Sequence, residues 1–380
     1  MWEINMKHFK AGVYREQIGY KSFSPSLINK SFDISDKQIN LLLEEASRAI
    51  GQLNAYSDFE EVNMDLFINM HIYKEATLSN KIEGTQTTMD EAVKPEELVV
   101  PEKRDDWQEI QNYTKAIHFA QQELSKLPVS IRLITDTHAI LLKGVRGEHK
   151  NPGEIRKSQN WIGGSSPSNA FFVPPHYEEL PELLSDLEKF WHNDALQIPT
   201  LIKIAVFHYQ FETLHPFCDG NGRMGRLLIP LMLMSCGVLT KPALYISSFF
   251  ESNKGRYYDS LTKVRTQNDL GQWIKFFLTG VITTAKNGTV TLKKLIAYRN
   301  QINDLSMTLG ARAKKADEVI KWMFGNPVAN TKKIAEQLHF SYGVANRLLG
   351  DLEKLGILNH KVTISNVKYY ELKGYLDLFK

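Results

Sequence analysis

Cysteine is nearly absent from this 380-residue chain, which carries only Cys218 and Cys236. Two thiols exclude a disulfide framework and a zinc cluster, and they fit a reducing cytosol. Long apolar runs are missing as well. The longest, 227–236, is broken by Pro230 and falls short of the roughly 20 residues that cross a bilayer, so no membrane partner is expected. Charge of one sign is also scarce. The 46 Lys and Arg stand against 43 Asp and Glu, and a net charge of +3 decides no partner. The first residues have no apolar stretch behind a basic start, so no secretory leader is expected and the chain reads as cytoplasmic. Its length allows two or three domains with a sizeable core.

What is present concentrates in residues 215–226, His-Pro-Phe-Cys-Asp-Gly-Asn-Gly-Arg-Met-Gly-Arg. Upstream, Pro199 and Thr200 open a segment in which Leu201, Ile204, Ala205, His208 and Phe211 recur at helical spacing. Downstream, 227–235 is apolar at nearly every position and reads as a second, central helix. Pro230 inside it should bend the axis and free the carbonyl of Arg226. The motif is therefore a loop between two core helices. Gly220 and Gly222 let backbone N–H groups converge without Cβ obstruction, and the second helix's N-terminus adds positive potential. Arg223 and Arg226 add charge-assisted contacts, which makes an anion cradle. The glycines alone fit a tight turn with salt-bridged arginines equally well.

Taken whole, the string resembles the signature of the Fic family, His-x-Phe-x-Asp/Glu-Gly-Asn-Gly-Arg-x-x-Arg, without a departure. A looser likeness extends over roughly 60–285. The resemblance implies a mainly α fold, a Fic-type helical core with a β-hairpin flap. It also implies transfer of AMP from ATP, with Mg²⁺, to a Ser, Thr or Tyr hydroxyl of a protein, the chain itself included. His215 would take the hydroxyl proton, and Asp219 would hold the metal. Gly220, Asn221, Gly222, Arg223, Met224, Gly225 and Arg226 would surround the phosphates, while Phe217 anchors the loop. Removal of AMP, transfer of another phosphate-linked group, and a DNA-binding regulator with a Fic-like sensor stay open as alternatives.

In chain order, 1–35 reads as an irregular arm draped over the body. A helix begins at Ser35-Asp36, with Ile39, Leu42, Leu43 and Ala46 on one stripe. Another covers about 63–82, with Leu66, Met70, Tyr73 and Ala76 recurring. Gly84 suits the residue after its end, and Thr88-x-x-Glu91 is a capping box for the next helix. Glu83 faces the negative end of that helix's dipole at a local cost of ~0.3–1 kcal/mol, which an exposed surface tolerates. Ser79, Glu83 and Gly84 nevertheless match the Fic inhibitory signature, Ser/Thr-x-x-x-Glu-Gly/Asn. That match implies a pair between Glu83 and Arg226 in the space of a nucleotide γ-phosphate.

Residues 94–104 form a connector, and 107–124 and 130–142 read as helices. The β-prone runs 160–162 and 170–173 flank a polar loop and signal a hairpin. The resemblance makes it a flap, on which a protein target docks by strand addition at Ile162, Gly163, Gly164, Phe172 and Val173. Tyr257 and Tyr258 lie where the family places its adenine pocket, although helical tyrosines are more often core. Residues 270–278 close the core.

The last ninety residues read as a separate unit. A linking helix spans 293–309, followed by helices at 316–324, 331–338 and 341–355 and two β-prone runs around Ser365-Asn366. This order resembles a winged helix-turn-helix. Counting 310–380 gives 12 Lys and Arg against 7 Asp and Glu, hence +5, so DNA and protein both stay open as its partner. The expected organisation is an N-terminal region over 1–105 with its inhibitory helix at about 63–84, a catalytic core over 106–290, and the C-terminal unit over 291–380. A homodimer stays open.

Overall fold

The computed structural model describes residues 9–31, 36–57 and 64–379, the side chains of 57 and 64–67 excepted. Ser35, Asn63 and the side chain of Leu66 lie outside the described residues. The arm expected to be irregular contains a hairpin. Strand β1 (Gly12–Gln17) pairs antiparallel with β2 (Tyr20–Pro25), from Gly12↔Pro25 to Gln17↔Tyr20. Gly19, at φ +82°, supplies the turn residue that needs no Cβ clearance. The hairpin is draped as expected: Phe23 is buried and donates its N–H to the Val173 carbonyl at 2.9 Å.

Helices follow in series: α1 (Lys37–Ser57), α2 (Met64–Ile82), the single turn α3 (Met89–Ala92), α4 (Arg104–Glu123) and α5 (Ile131–Leu141). Asp36 Oδ1 accepts from Gln38 N ahead of α1, Ser130 caps α5, and Thr88 with Glu91 forms the capping box. Helix α6 (Leu180–His192) went unread in the sequence. Its buried face of Leu180, Leu183, Leu184, Leu187, Phe190 and Trp191 keeps a spacing of three and four, and Pro181 starts it.

Helices α7 (Thr200–Leu214) and α8 (Asn221–Ser235) form the centre of the core, with Pro230 inside α8. Every residue of α7 after Thr200 is buried, so neither face reaches water. Its polar residues Lys203, His208, Gln210 and Glu212 are buried along with the apolar ones. Short α9 (Ser247–Ser252) and α10 (Lys254–Gln267) lead to α11 (Leu270–Met307), 38 residues long. The core-closing segment and the linking helix are thus one continuous element, and the boundary expected at 290 falls inside it. Among the described residues, no helix is long and apolar enough to cross a membrane.

Beyond α11 come α12 (Ala313–Gly325), β3 (Val328–Asn330), α13 (Thr331–Gln337), α14 (Tyr342–Lys354), β4 (Asn359–Ile364), β5 (Val367–Glu371) and α15 (Lys373–Leu376). The strands form an antiparallel sheet in the order β3-β5-β4. Ser365 and Asn366 both take positive φ in the two-residue β4–β5 turn, which matches the right-handed twist of the strands. Strand β3 is too short to show a period and was missed. This unit packs back on the body: the Phe379 ring meets that of His71 in α2 at 5.3 Å.

Candidate active site

Residues 215–220 bridge the C-terminus of α7 and the N-terminus of α8. His215 caps α7 at φ 48°, and Gly220 precedes α8 at φ 75°, so two left-handed residues make the reversal. Asn221 holds the loop closed from within. Its Oδ1 accepts from Phe217 N and its Nδ2 donates to Phe217 O, each at 2.8 Å. That side chain is therefore committed to the loop, and only the Asn221 backbone N–H is left for a ligand. Phe217 is fully buried and stacks on His138 with 3.7 Å between ring centres.

The loop opens on a cavity of about 570 Å³. Among its walls are Glu83, Ile162, Gly163, Phe172, Glu212, His215, Asp219, Gly220, Asn221, Gly222, Arg223, Arg226 and Tyr258. Most of the sequence-derived site residues thus meet in one place. Met224, Gly225 and Tyr257 do not line it. Met224 and Tyr257 are core, because Tyr257 bonds His208 Nε2 at 2.9 Å, and Gly225 is there for packing, since a Cβ would strike Glu212 Oε1. Gly164 and Val173 stay outside as well. The expected flap hairpin reduces to a single bridge, Ile162↔Phe172, because the Gly163-Gly164 turn takes positive φ at both residues and 165–169 folds on its own bonds. The Val173 carbonyl is already taken by Phe23. Trp161 and Phe171 are exposed at the cavity mouth.

The imidazole of His215 points its chemistry inward. Nδ1 faces the Glu212 carbonyl at 3.3 Å, which favours the tautomer that leaves Nε2 as acceptor. Burial lowers its pKa to about 4, and nearby Arg156 pushes the same way, so the ring is neutral at pH 7. Asp219 is partly exposed and accepts at Oδ1 from Gly220 N at 2.6 Å and from Arg223 Nη2 at 3.4 Å. Arg223 also reaches Glu109 Oε2 at 3.1 Å, so Asp219 is not its principal partner.

Arg226 is almost wholly buried and closes the cradle. Its Nε donates to Ser79 Oγ at 2.9 Å, and its Nη2 to the Ser79 carbonyl at 3.0 Å and to Glu83 Oε1 at 2.6 Å. Burial works against the Glu83 carboxylate, but the guanidinium outweighs it and holds Glu83 below its usual value. A Cβ on Gly222 would collide with Glu83 Oε1, so the carboxylate lies directly over the first turn of α8. Gly84 takes φ +106° just past α2, which lets the chain turn away after placing Glu83.

Several residues escaped the sequence reading. His138 Nδ1 accepts from Gly153 N and its Nε2 donates to the Asp219 carbonyl, both at 2.9 Å, which steadies the loop at Asp219. Glu212 lines the cavity with Oε1 unbonded, and burial pushes its pKa up to about 7. Arg265 lies over the Phe172 ring at 3.9 Å and links α10 to the flap. Glu109, Arg156 and Asn160 complete the group. All but Glu212, three residues ahead of the motif, are distant from it in sequence, and nothing in their local pattern marks them.

Magnesium ordinarily takes one or two carboxylates plus substrate phosphates rather than a full protein cage. Among the described residues there is no cluster of three or more His, Cys, Asp or Glu able to hold a metal. Asp219 fits the single-carboxylate role. A Cβ on Gly147 would stand 3.0 Å from Asp219 Oδ2, so only glycine there keeps that oxygen clear.

Residues 128–233 match the Fic/DOC family model, and residues 40–122 match the Fic/DOC family N-terminal model. The chain carries a Fic/DOC domain behind a Fic N-terminal region. A protein adenylyltransferase Fic from Aedes aegypti is 32% identical over 125 residues, covering 33% of this chain and 22% of that protein. Its counterpart from Drosophila erecta is 30% identical over 179 residues, covering 45% and 32%. The chain thus spans about a fifth to a third of the length of the curated relatives it matches. Among solved structures, a Fic family protein from Desulfovibrio desulfuricans superposes with a TM-score of 0.57 at 19% identity, covering 90% of this chain and 98% of that one. A Fic domain containing signaling protein from Bacteroides thetaiotaomicron gives 0.51 at 19%, covering 68% and 97%. Those two likenesses establish the fold.

Proposed function

We propose that this Fic-domain chain transfers AMP from ATP to a Ser, Thr or Tyr hydroxyl of a protein, itself included, and that Glu83 restrains the reaction. The observation that carries this reading is a neutral, partly buried imidazole sharing one cavity with a helix N-terminus and the guanidinium of Arg226. The hydroxyl proton passes to His215 Nε2 as its oxygen attacks the α-phosphorus. The bond to the bridging oxygen breaks, and pyrophosphate leaves. Backbone N–H groups of the first turn of α8 and the Arg226 guanidinium stabilise the charge that collects there. Mg²⁺ held by Asp219 would add neutralisation of the phosphates when bound. Phe172 and Leu261 give the far wall the apolar surface that a base requires.

ATP labelled on the α-phosphate tests this directly. Purified Glu83→Gly protein is expected to acquire label in the presence of Mg²⁺, and EDTA is expected to abolish it. Label from the γ-phosphate, or none from either position, would overturn the reading.

A second proposal concerns the C-terminal unit, as a winged helix-turn-helix that reads duplex DNA through α14. Ser341, Tyr342, Asn346 and Arg347 are exposed together on that helix. The acids that would repel phosphate are engaged elsewhere: Asp351 pairs with Arg312, and Glu353 with Lys368 at 2.8 Å. For about four phosphate contacts, doubling the salt is expected to cut duplex affinity roughly tenfold. Retention of the full chain on duplex that ignores salt, or no retention, would leave protein as the partner of this unit.

A further inference from the structure

We infer that Arg156 is a positioning residue for the proposed transfer: its guanidinium holds the main chain of His215 in the conformation that presents the imidazole, and it ties that residue to both ends of the flap. This inference rests on the AMP-transfer reading only for the reaction that is assayed.

His215 occupies a conformation that a residue with a Cβ adopts rarely, at φ 48°. Such a residue is strained and persists only where its surroundings over-determine it. The end of α7 also leaves main-chain carbonyls without intrahelical partners. Arg156 answers both needs. Its Nε donates to the His215 carbonyl at 2.9 Å, and its Nη2 reaches the Leu214 carbonyl at 3.4 Å. Its own backbone N–H donates to the Pro216 carbonyl at 2.9 Å. Asn160 Nδ2 adds a second bond to the His215 carbonyl at 3.1 Å.

The same guanidinium grips the flap. Nη1 donates to the Ser158 carbonyl at 3.0 Å, where the flap leaves the body, and Nη2 to the Pro175 carbonyl at 2.6 Å, where it returns. Arg156 is buried, and no ion pair is formed by it among the described residues. Its side-chain partners are four main-chain carbonyls from three segments. A planar fork of five donors suits that arrangement, and an ammonium on a flexible stem does not. A buried guanidinium with no carboxylate is costly, so its presence points to geometry that only this group supplies. Its charge also faces the imidazole, together with those of Glu83 and Arg265.

The test compares Arg156→Gln and Arg156→Lys with the parent, all in Glu83→Gly protein. For Arg156→Gln, AMP turnover is expected to fall about 100-fold, the effect of displacing a reacting group by about an ångström, with ATP affinity within about threefold. Arg156→Lys keeps the charge but not the fork, and is expected to recover less than about a tenth of parental turnover. NMR titration of His215, assigned through His215→Ala, is expected to show a higher midpoint in Arg156→Gln and little change in Arg156→Lys. Turnover of either variant within about threefold of the parent, or an unmoved midpoint in Arg156→Gln, would overturn the inference. If Arg156→Gln does not fold, parent-like turnover of Arg156→Lys overturns it alone. If the parent transfers no AMP, that reading falls, and the His215 Cα chemical shift, which reports the left-handed main chain, still decides the role of Arg156: a value in Arg156→Gln unchanged from the parent would overturn it.

Discussion

Replacing His215 with alanine is expected to lower AMP transfer by about 10²- to 10⁴-fold, the usual contribution of a general base, with ATP affinity little changed. In the proposed reaction the phosphates are met by backbone N–H groups at the start of α8 and by Arg226, and the imidazole adds no charge there while it is neutral. Burial keeps its pKa near 4, so the loss is a loss of proton acceptance. The base form stays populated down to mildly acidic pH. Transfer by the parent should therefore show no loss from His215 between pH 7 and pH 5, where an ordinary imidazole would already be charged, and any change near pH 7 would report Glu212. Label incorporation and calorimetric ATP titration, run on both proteins, separate the two effects. Unchanged labelling by His215→Ala would remove His215 from the chemistry, and a matching loss of ATP affinity would assign it to binding.

Glu83→Gly is expected to raise AMP transfer by about 10- to 100-fold, the worth of one charge-assisted hydrogen bond released to the substrate. The contact is specific: Glu83 Oε1 sits 2.6 Å from Arg226 Nη2 and directly over Gly222. A triphosphate that lies along the first turn of α8 meets a carboxylate where its terminal phosphate should go, and like charges exclude one another. ATP then binds with its α-phosphorus out of line with the incoming hydroxyl. Removing the carboxylate opens the space and leaves Arg226 held by Ser79, already aimed at the cradle. Because both residues act through one contact, the gain should vanish when Arg226 is also changed to Ala. Equal rates for the parent and Glu83→Gly would make the contact structural. A gain that survives Arg226→Ala would place the inhibition elsewhere.

The sequence by itself determined the motif, the helices on either side of it and the residue types they present, because these are local. A dozen consecutive residues fix a helix end, a reversal and a helix start, and spacing of three and four reports which face is buried. The capping box at Thr88 and Glu91 was legible for the same reason. So was the placement of Glu83 just past a helix end, although the pattern alone could not say what it touches. The tertiary structure decided what depends on meetings across the chain. Glu83 and Arg226 are 143 positions apart, Arg156 and His215 59, and His138 and Asp219 81. No local period records such pairs. Tyr257 and Tyr258 show the limit most clearly. Neighbours on one helix point about 100° apart, so one packs against His208 in the core while the other reaches the cavity. Only the orientation of α10 against α7 settles which does which.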